Sequence, residues 1–297
     1  MMTKIGSSKM PFDIQKALHL NKALEKKSFN FSRSDWAVMP KLDGWYVYLD
    51  CLEGHWQQLS SSAGREIPAL SELSQKLKTL KPTESSARFI FEATIPGTEF
   101  HIMNGILNRK FSQAENVVLN LHDIVFFDTP NINFQSRYAA LENNYYPYLK
   151  EKMEDVFELI PILEVTNDLE KFRDIAGELI LNGEEGIIGK SMSAGYSFGK
   201  RNNDLLKLKA EQSLDCRIVN WFWSTGDKGN EAMNLTLVRS NGIQFPVVVN
   251  RHTAIETILS ENVVGKVVEV ACMEELPSGM LRQPVFKDFR FNKTEID

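Results

Sequence analysis

The sequence predicts an α+β chain in two parts: strands and helices mixed over residues 1–212, and an all-β barrel over residues 213–297. Short runs rich in β-branched and aromatic residues recur between turn residues, which is typical of strands. Apolar residues at helical spacing occur near the start and again after residue 134. After residue 212, strands separated by Gly and Asn turns fill about 85 residues, a pattern typical of small barrels such as the oligonucleotide-binding (OB) type.

The elements of the first part follow from their apolar spacing and turn residues. We expect helices over residues 12–27, 68–80, 134–153 and 167–182, and strands over 36–50, 55–61, 88–95, 116–128 and 186–192. In the barrel, strands are expected at 215–224, 230–242, 243–250 and 264–276, with a helical insert at 252–261. Trp221 and Trp223 are expected to pack inside the barrel.

Composition narrows the functional classes. The formal net charge of −5 and the pI of about 5.7 give no overall attraction for nucleic acid, so any such contact needs local basic patches. Cys51, Cys216 and Cys272 form neither a CxxC pair nor a zinc-binding spacing, which fits a reducing cytosol. No apolar run reaches signal-peptide length or the roughly 20 residues of a membrane span. We therefore expect a cytoplasmic protein without a membrane partner, in the host cytoplasm if the gene belongs to a phage.

Charged residues interrupt several of the predicted apolar strands. They are Lys41 and Asp43 in KLDG, Glu92, Glu184, Glu185 and Lys190 in EEGIIGK, and Lys207 and Lys209 in LLKLK. An apolar strand has no packing use for a charge, so each residue faces either solvent or a ligand. Singly, each is an ordinary solvated strand end. Together, in this order, they indicate one ligand site assembled from distant segments.

The chemistry that suits this set is nucleotidyl transfer. An unprotonated lysine amine such as that of Lys41 can attack the α-phosphorus of a nucleoside triphosphate and form a phosphoramidate. Lys207 and Lys209 would neutralise the charge that develops on the phosphate oxygens. Glu92 and Glu185 offer the hard oxygen ligands that Mg²⁺ prefers.

In this order, the motifs resemble those of the ATP-dependent DNA ligases of the covalent nucleotidyltransferase superfamily, most closely the short phage ligases of T-seven type. The resemblance covers KLDG at 41, SSAGREIPAL at 61, FIFEATIPGTEF at 89, EEGIIGKS at 184, LLKLKA at 205 and MEELPSGMLRQPVFKDFR at 273. It implies a nucleotidyltransferase domain of antiparallel sheets flanked by helices, similar to an ATP-grasp fold, followed by an OB barrel.

The resemblance also implies a set of site residues. Lys41, Lys207 and Lys209 would be catalytic, and Glu92 and Glu185 would bind Mg²⁺. The nucleotide would be bound by Lys41, Asp43, Gly44, Arg65, Glu92, Phe127, Glu185, Lys190, Lys207, Lys209, Arg290 and Lys293, with Phe127 stacked on the adenine.

This sequence departs from the family pattern at four places. Tyr46 replaces the arginine of KxDGxR, and Ser62 replaces the arginine of SRxG, where the nearby cation is Arg65. In place of DGE the chain has FEATI, so either Glu92 serves as the acid in a shifted register or a metal contact at Thr94 is lost. Asn292 replaces the acid of the closing RxDK motif, which otherwise falls on Arg290 and Lys293.

We therefore expect a monomeric ATP-dependent DNA ligase that acts on nicked double-stranded DNA in replication, repair and recombination, with Lys200 and Arg201 in its best basic patch. Two alternatives remain open. An RNA ligase or a capping guanylyltransferase shares the same lysine and acid pattern, and the sequence does not decide between ATP and GTP. A catalytically impaired relative that only binds nicks would explain the departures at Tyr46, Ser62 and Thr94.

Overall fold

The computed structural model describes residues 13–81, 83, 86–210, 212–225, 229–249, 251–272, 275–276, 278–282 and 284–297. The chain divides into two compact units, Met1–Lys209 and Ala210–Asp297. The expected boundary after residue 212 lies slightly inside the second unit, because Gln212 already pairs with Cys272 in its sheet. Residues 273–274, 277 and 283 of the closing motif lie outside the described residues.

The first unit contains two sheets and the helices that cover them. Its strands are β1 (Leu18–His19), β2 (Trp36–Pro40), β3 (Trp45–Leu52), β4 (His55–Trp56), β5 (Ser60–Ser61), β6 (Ala87–Thr94), β7 (Val118–Phe126), β8 (Phe157–Leu159), β9 (Glu164–Thr166), β10 (Gly186–Ser191) and β11 (Leu205–Lys209). Its helices are α1 (Leu20–Leu24), α2 (Ser71–Leu77), α3 (Phe100–Leu107), α4 (Phe134–Ala140), α5 (Tyr146–Lys152) and α6 (Leu169–Leu181). A π-helical turn, Leu141–Tyr145, joins α4 to α5.

The first sheet has the strand order β1-β11-β10-β2-β9. On one face, apolar side chains such as Val38, Ile187 and Leu206 form a core with Phe172 of α6. Side chains alternate along a strand, so the other face carries Ile188 together with its register partners Met39 and Lys207. A strand whose two faces differ in this way can place cations above a well-packed core.

The second sheet has the order β4-β3-β6-β7-β8, with β5 also paired to β3. Its apolar face, including Val47, Phe89 and Phe91, packs in the largest core cluster with residues from α2, α3 and α5. The opposite face carries a cross-strand row of Tyr46, Glu92 and Asn120.

Two predicted elements of the first unit are wrong. The predicted helix over residues 12–27 is reduced to α1, because Leu18 and His19 instead pair in parallel with Leu206 and Lys207. The single strand predicted over 36–50 is two strands that belong to different sheets, with residues 41–44 between them. Helix α3 was not predicted.

The second unit is built on one antiparallel sheet. Its strands are β12 (Gln212–Thr225), β13 (Glu231–Val238), β14 (Gln244–Val249), β15 (Val267–Cys272) and β16 (Val285–Phe289), and its helix is α7 (His252–Ser260). The order is β14-β13-β12-β15-β16, and β14 also approaches β16, so the sheet curls towards closure. Trp221 packs against the core as predicted, whereas Trp223 is 47% exposed and that prediction is wrong.

The α+β class is confirmed. All three cysteines are buried. Among the described residues, no helix has both the length and the apolar character that crossing a bilayer requires.

Candidate active site

Lys41 lies directly after β2, where the chain leaves the first sheet for the second. Its backbone N–H donates to the carbonyl of Gly186 at 2.9 Å, which fixes the segment beside the start of β10. Its side-chain amine forms an ion pair with Glu185. The Glu185 side chain is only 8% exposed, so this pair is largely shielded from water. The structure thus brings together two residues that are 144 positions apart in the sequence.

Glu92 brings a second buried carboxylate to the same place from β6. Its pKa is raised to about 8, first by burial and then by the carboxylates of Glu185 and Asp43, while the Lys41 ammonium and the Gly44 backbone oppose the shift. These electrostatic effects require the four charged groups to lie close together. Thr94, the alternative acid position, instead accepts a hydrogen bond from Asn120 at 2.8 Å. The geometry therefore favours Glu92 in the shifted register.

Gly44 makes this arrangement sterically possible. A Cβ at this position would lie 2.6 Å from Glu92 Cγ and 2.7 Å from the carbonyl oxygen of Ala93. Only glycine lets the segment after Lys41 pass this close to β6.

Lys207 and Lys209 come from β11, opposite Ile188 and Gly186 of β10. The pKa of Lys207 is lowered by burial first, and then by the neighbouring cations Lys209, Lys41 and Arg201. Four cationic side chains are therefore near one another, which is an arrangement suited to a polyanion such as a triphosphate.

Both sheets line a cavity of about 310 Å³, a volume at the lower end of the range for small-molecule sites. Lys41, Lys207 and Arg201 are among the cations that line it. Its aromatic lining residues are Tyr46, His122, Phe134 and Tyr196.

Several expected nucleotide contacts of the first unit are not among the described residues that line the cavity, namely Asp43, Gly44, Arg65, Phe127, Glu185 and Lys209. Phe127 follows the end of β7, where its ring stacks on Phe198 with centroids 6.3 Å apart. Arg65 is exposed in the turn after β5. Neither residue is among the described residues that line the cavity. The aromatic side chains found there were not predicted.

Lys190 is buried in an ionic network that sequence reasoning missed. Its amine donates to Asp123 at 3.1 Å, and Asp123 also accepts two hydrogen bonds from Arg137. The two cations hold the pKa of Asp123 well below its usual range despite burial, and burial lowers the pKa of Lys190 to about 8. The signal for Asp123 was present, because it interrupts the apolar strand LNLHDIVFF as Glu92 interrupts RFIFEATI.

Tyr46, at the position of the family's arginine, is part of the aromatic lining. Its hydroxyl lies 3.5 Å from that of Tyr196, and its ring meets the edge of His122 with centroids 6.3 Å apart. Burial raises the pKa of Tyr46 well above its usual value. The side chain therefore offers a neutral hydroxyl where the family offers a cation.

Arg290 and Lys293 lie in the second unit. Arg290 pairs with Glu269, and Lys293 pairs with Asp215. Asp215 and Glu269 are register partners on β12 and β15, so the two cations meet one acidic pair. Their expected contact with the nucleotide stays a prediction.

The carboxylates near Lys41 could supply only part of the coordination shell of a divalent cation. Among the described residues, no group of three or more His, Cys, Asp or Glu side chains is arranged to hold a metal. Mg²⁺, however, needs only one or two carboxylates when water and phosphate oxygens complete its shell. Glu92 beside Glu185 and Asp43 supplies such a set, and a cation would relieve the repulsion that raises the Glu92 pKa.

Comparison with known proteins agrees with this geometry. The model of the family described as ATP dependent DNA ligase domain matches residues 16–209. A probable DNA ligase of Dictyoglomus thermophilum is 27% identical over 143 residues, which cover 44% of this chain and 24% of that protein. A DNA ligase of Methanothrix thermoacetophila is 34% identical over 74 residues, or 25% of this chain and 13% of that protein. These matches span a quarter or less of the curated relatives.

Two solved structures resemble the chain over most of its length. A Lig E DNA ligase, from work on DNA binding with a minimal scaffold, has a TM-score of 0.69 at 18% identity and covers 93% of this chain and 98% of that one. The ATP-dependent DNA ligase of bacteriophage T7, in complex with ATP, has a TM-score of 0.59 at 17% identity and covers 95% and 100%. At these identities the similarity shows a shared fold.

Proposed function

Because the chain belongs to the family of ATP-dependent DNA ligase domains, we propose that it is a DNA ligase that uses ATP to seal nicks in duplex DNA. The observation that carries the proposal is the convergence of Lys41, Glu185 and Lys207 near Glu92, with Lys41, Lys207 and Glu92 lining the cavity. A lysine amine, a hydrogen-bonded carboxylate and further cations are the groups that covalent nucleotidyl transfer needs.

In the first step, Lys41 Nζ attacks the α-phosphorus of ATP. A nitrogen–phosphorus bond forms as the bond to pyrophosphate breaks, which leaves AMP on the lysine. The amine gives up its proton to Glu185, to which it is already hydrogen-bonded. Lys207 and Lys209 stabilise the negative charge on the phosphate oxygens.

Glu92 and Glu185 would hold Mg²⁺, which when bound neutralises charge on the phosphates. Gly44 keeps Glu92 close to Lys41, so its own role is positional. The aromatic lining accepts the base in place of Phe127, the residue expected from the sequence.

In the later steps, AMP passes to the 5'-phosphate of a nick, and the 3'-hydroxyl displaces AMP to join the strands. The first unit would be the nucleotidyltransferase domain and the second an OB domain that supplies Arg290 and Lys293. DNA would be gripped through its phosphates, in part by Lys200 and Arg201, without sequence readout. We propose a cytoplasmic monomer that serves replication, repair and recombination.

The test is covalent labelling followed by sealing. Incubation with ATP labelled at the α-phosphate and with Mg²⁺ is expected to give a protein heavier by one AMP, located on Lys41 by mass spectrometry. Lys41→Ala abolishes the label, and Lys110→Ala, an exposed lysine on the same unit, retains it.

Labelled wild type should then seal nicked DNA in preference to nicked RNA. A wild type that takes up no label would refute the enzymatic proposal and favour the nick-binding alternative. Preferential sealing of RNA would favour the RNA ligase alternative.

A further inference from the structure

The hydrogen bonds of Lys190 fix the chemical state of a neighbouring histidine. Lys190 Nζ lies 2.7 Å from the carbonyl oxygen of His122, 3.0 Å from His122 Nδ1 and 3.1 Å from Asp123 Oδ2. An ammonium group has three protons and no lone pair, so these three acceptors use all of its donors. His122 Nδ1 must therefore act as an acceptor.

A neutral imidazole that accepts at Nδ1 carries its proton on Nε2. The ring is held neutral because burial and the Lys190 ammonium lower the pKa of His122 to about 3. Lys190 thus sets the tautomer of the ring. At neutral pH, where Lys190 is charged and His122 is neutral, Nε2–H is therefore a hydrogen-bond donor.

This donor has no partner within the described residues of the protein. Nδ1 and the carbonyl oxygen of His122 are hydrogen-bonded to Lys190, and the His122 ring meets the ring of Tyr46 edge-on. The side chain is only partly buried and is among the residues lining the cavity. A ligand in the cavity is therefore the available acceptor.

The surroundings favour a neutral, flat ligand group at this point. Tyr46, Phe134 and Tyr196 line the cavity beside His122, and rings of this kind stack on or enclose a base. The cations suited to phosphate groups are instead near Lys41, where Lys207, Lys209 and Arg201 meet. Phosphate and base thus have separate partners.

We propose that His122 is a specificity-determining residue, whose Nε2–H donates a hydrogen bond to a ring nitrogen of the purine base of the bound nucleotide. This rests on the proposed function. Lys190 then acts as a positioning residue that orients His122. This role takes the place of the direct contact between Lys190 and the nucleotide that the sequence predicts, because all three protons of the ammonium group are already used in hydrogen bonds.

Atom-deleted nucleotides test the proposal directly. The 1-, 3- and 7-deaza analogues of ATP each lack one ring nitrogen, and the rate of lysyl-AMP formation at low nucleotide concentration measures how each is used. Wild type should use one analogue roughly tenfold less well than ATP, the loss expected for one neutral hydrogen bond. His122→Phe keeps the ring but lacks the donor, so it should use that analogue and ATP almost equally.

Two further variants separate recognition from folding. His122→Gln retains an N–H donor and should recover part of the discrimination. His101→Phe, a change of a partly exposed histidine on α3, should leave it at the wild-type level.

The proposal would be overturned if the rate with each deaza analogue, relative to the rate with ATP, were the same in wild type and in His122→Phe. A penalty confined to 2'-deoxy-ATP would also overturn it, because the donor would then read the sugar. If wild type forms no lysyl-AMP with ATP itself, the proposed function fails; if it forms lysyl-AMP but the ratios are equal, only the role of His122 fails.

Discussion

The Asp123→Asn substitution tests whether the buried ionic network supports the first unit. Asp123 Oδ1 accepts from Arg137 Nε and from the backbone of Ile124, both at 2.9 Å. Its Oδ2 accepts from Arg137 Nη2 at 3.2 Å and from Lys190 at 3.1 Å. Asparagine keeps the volume of the side chain but removes its charge. The NH₂ group of its amide would also face N–H groups that donate hydrogen bonds to Asp123 in the wild type.

The expected loss in free energy of unfolding depends on the two buried cations that would lose their carboxylate partner. The side chains of Arg137 and Lys190 are only 3% and 7% exposed, so neither can exchange Asp123 for water. Removing one partner of a buried ion pair typically costs about 3–5 kcal/mol. We expect the first unit to lose a free energy of unfolding of that order.

Urea unfolding followed by tryptophan fluorescence measures this loss. In a background with Trp221→Phe and Trp223→Phe, the remaining tryptophans are in the first unit. Asp128→Asn, at an exposed position in the loop after β7, is the matched control and should change little. A loss below about 1 kcal/mol for Asp123→Asn would refute the argument, because the buried network would then contribute no more to stability than a solvent-exposed ion pair does.

The pH dependence of the same measurement has a defined sign. The folded-state pKa of Asp123 is depressed by Arg137 and Lys190. The contribution of Asp123 to the free energy of unfolding is therefore fully present above the ordinary pKa of a carboxyl group, and it is lost as the pH falls through the folded-state pKa. The difference between wild type and Asp123→Asn should be largest near neutral pH and shrink in acid.

Four other outcomes follow from the site. Gly44→Ala should slow lysyl-AMP formation about 100-fold because its Cβ would displace Glu92, whereas Gly105→Ala, which has open space, should not. Because the Glu92 pKa is raised to about 8, the unfolding free energy should fall as pH rises from about 4.5 to 8, and Glu92→Gln should flatten this slope. Mg²⁺ binding at pH 7 should release a proton from Glu92, measurable by calorimetry in buffers of different ionisation enthalpy. Tyr46→Arg should lower the melting temperature, since it buries a cation among aromatic rings, whereas Tyr46→Phe should not.

The parts of the site that could be predicted are the charges that interrupt apolar strands. Lys41, Glu92 and Lys207 each stand where burial of a charge would be costly without a ligand or a partner. Asp123 interrupts an apolar strand in the same way. Its partner Arg137 carries no such signal, because arginines are common on the faces of helices and only the tertiary structure turns this one inward.

Phe127 shows why strand alternation alone does not predict which aromatic side chain of β7 lines the cavity. Its place at a strand end predicts a stacking role, but the pairing of β6 with β7 shifts where Ile90 pairs with Asp123 and Phe91 with Leu121, which leaves His122 as the extra residue of a bulge. A bulge adds a residue to one strand and changes which side chains face the cavity beyond it. Sequence alternation alone could not identify the bulge, and the ring that reaches the cavity from β7 is that of His122.

The change of sheet at residues 41–44 explains how one short segment serves both walls of the cavity. Met39 belongs to the first sheet and Tyr46 to the second, and both line the cavity. The turn between them leaves Lys41 hydrogen-bonded to the first sheet and brings Gly44 against Glu92 of the second. Any change in how the two sheets are spaced therefore moves Lys41 relative to Glu92. The geometry of the candidate site therefore depends on the packing of the sheets and on the buried Lys190–Asp123 pair, which links β10 of one sheet to β7 of the other.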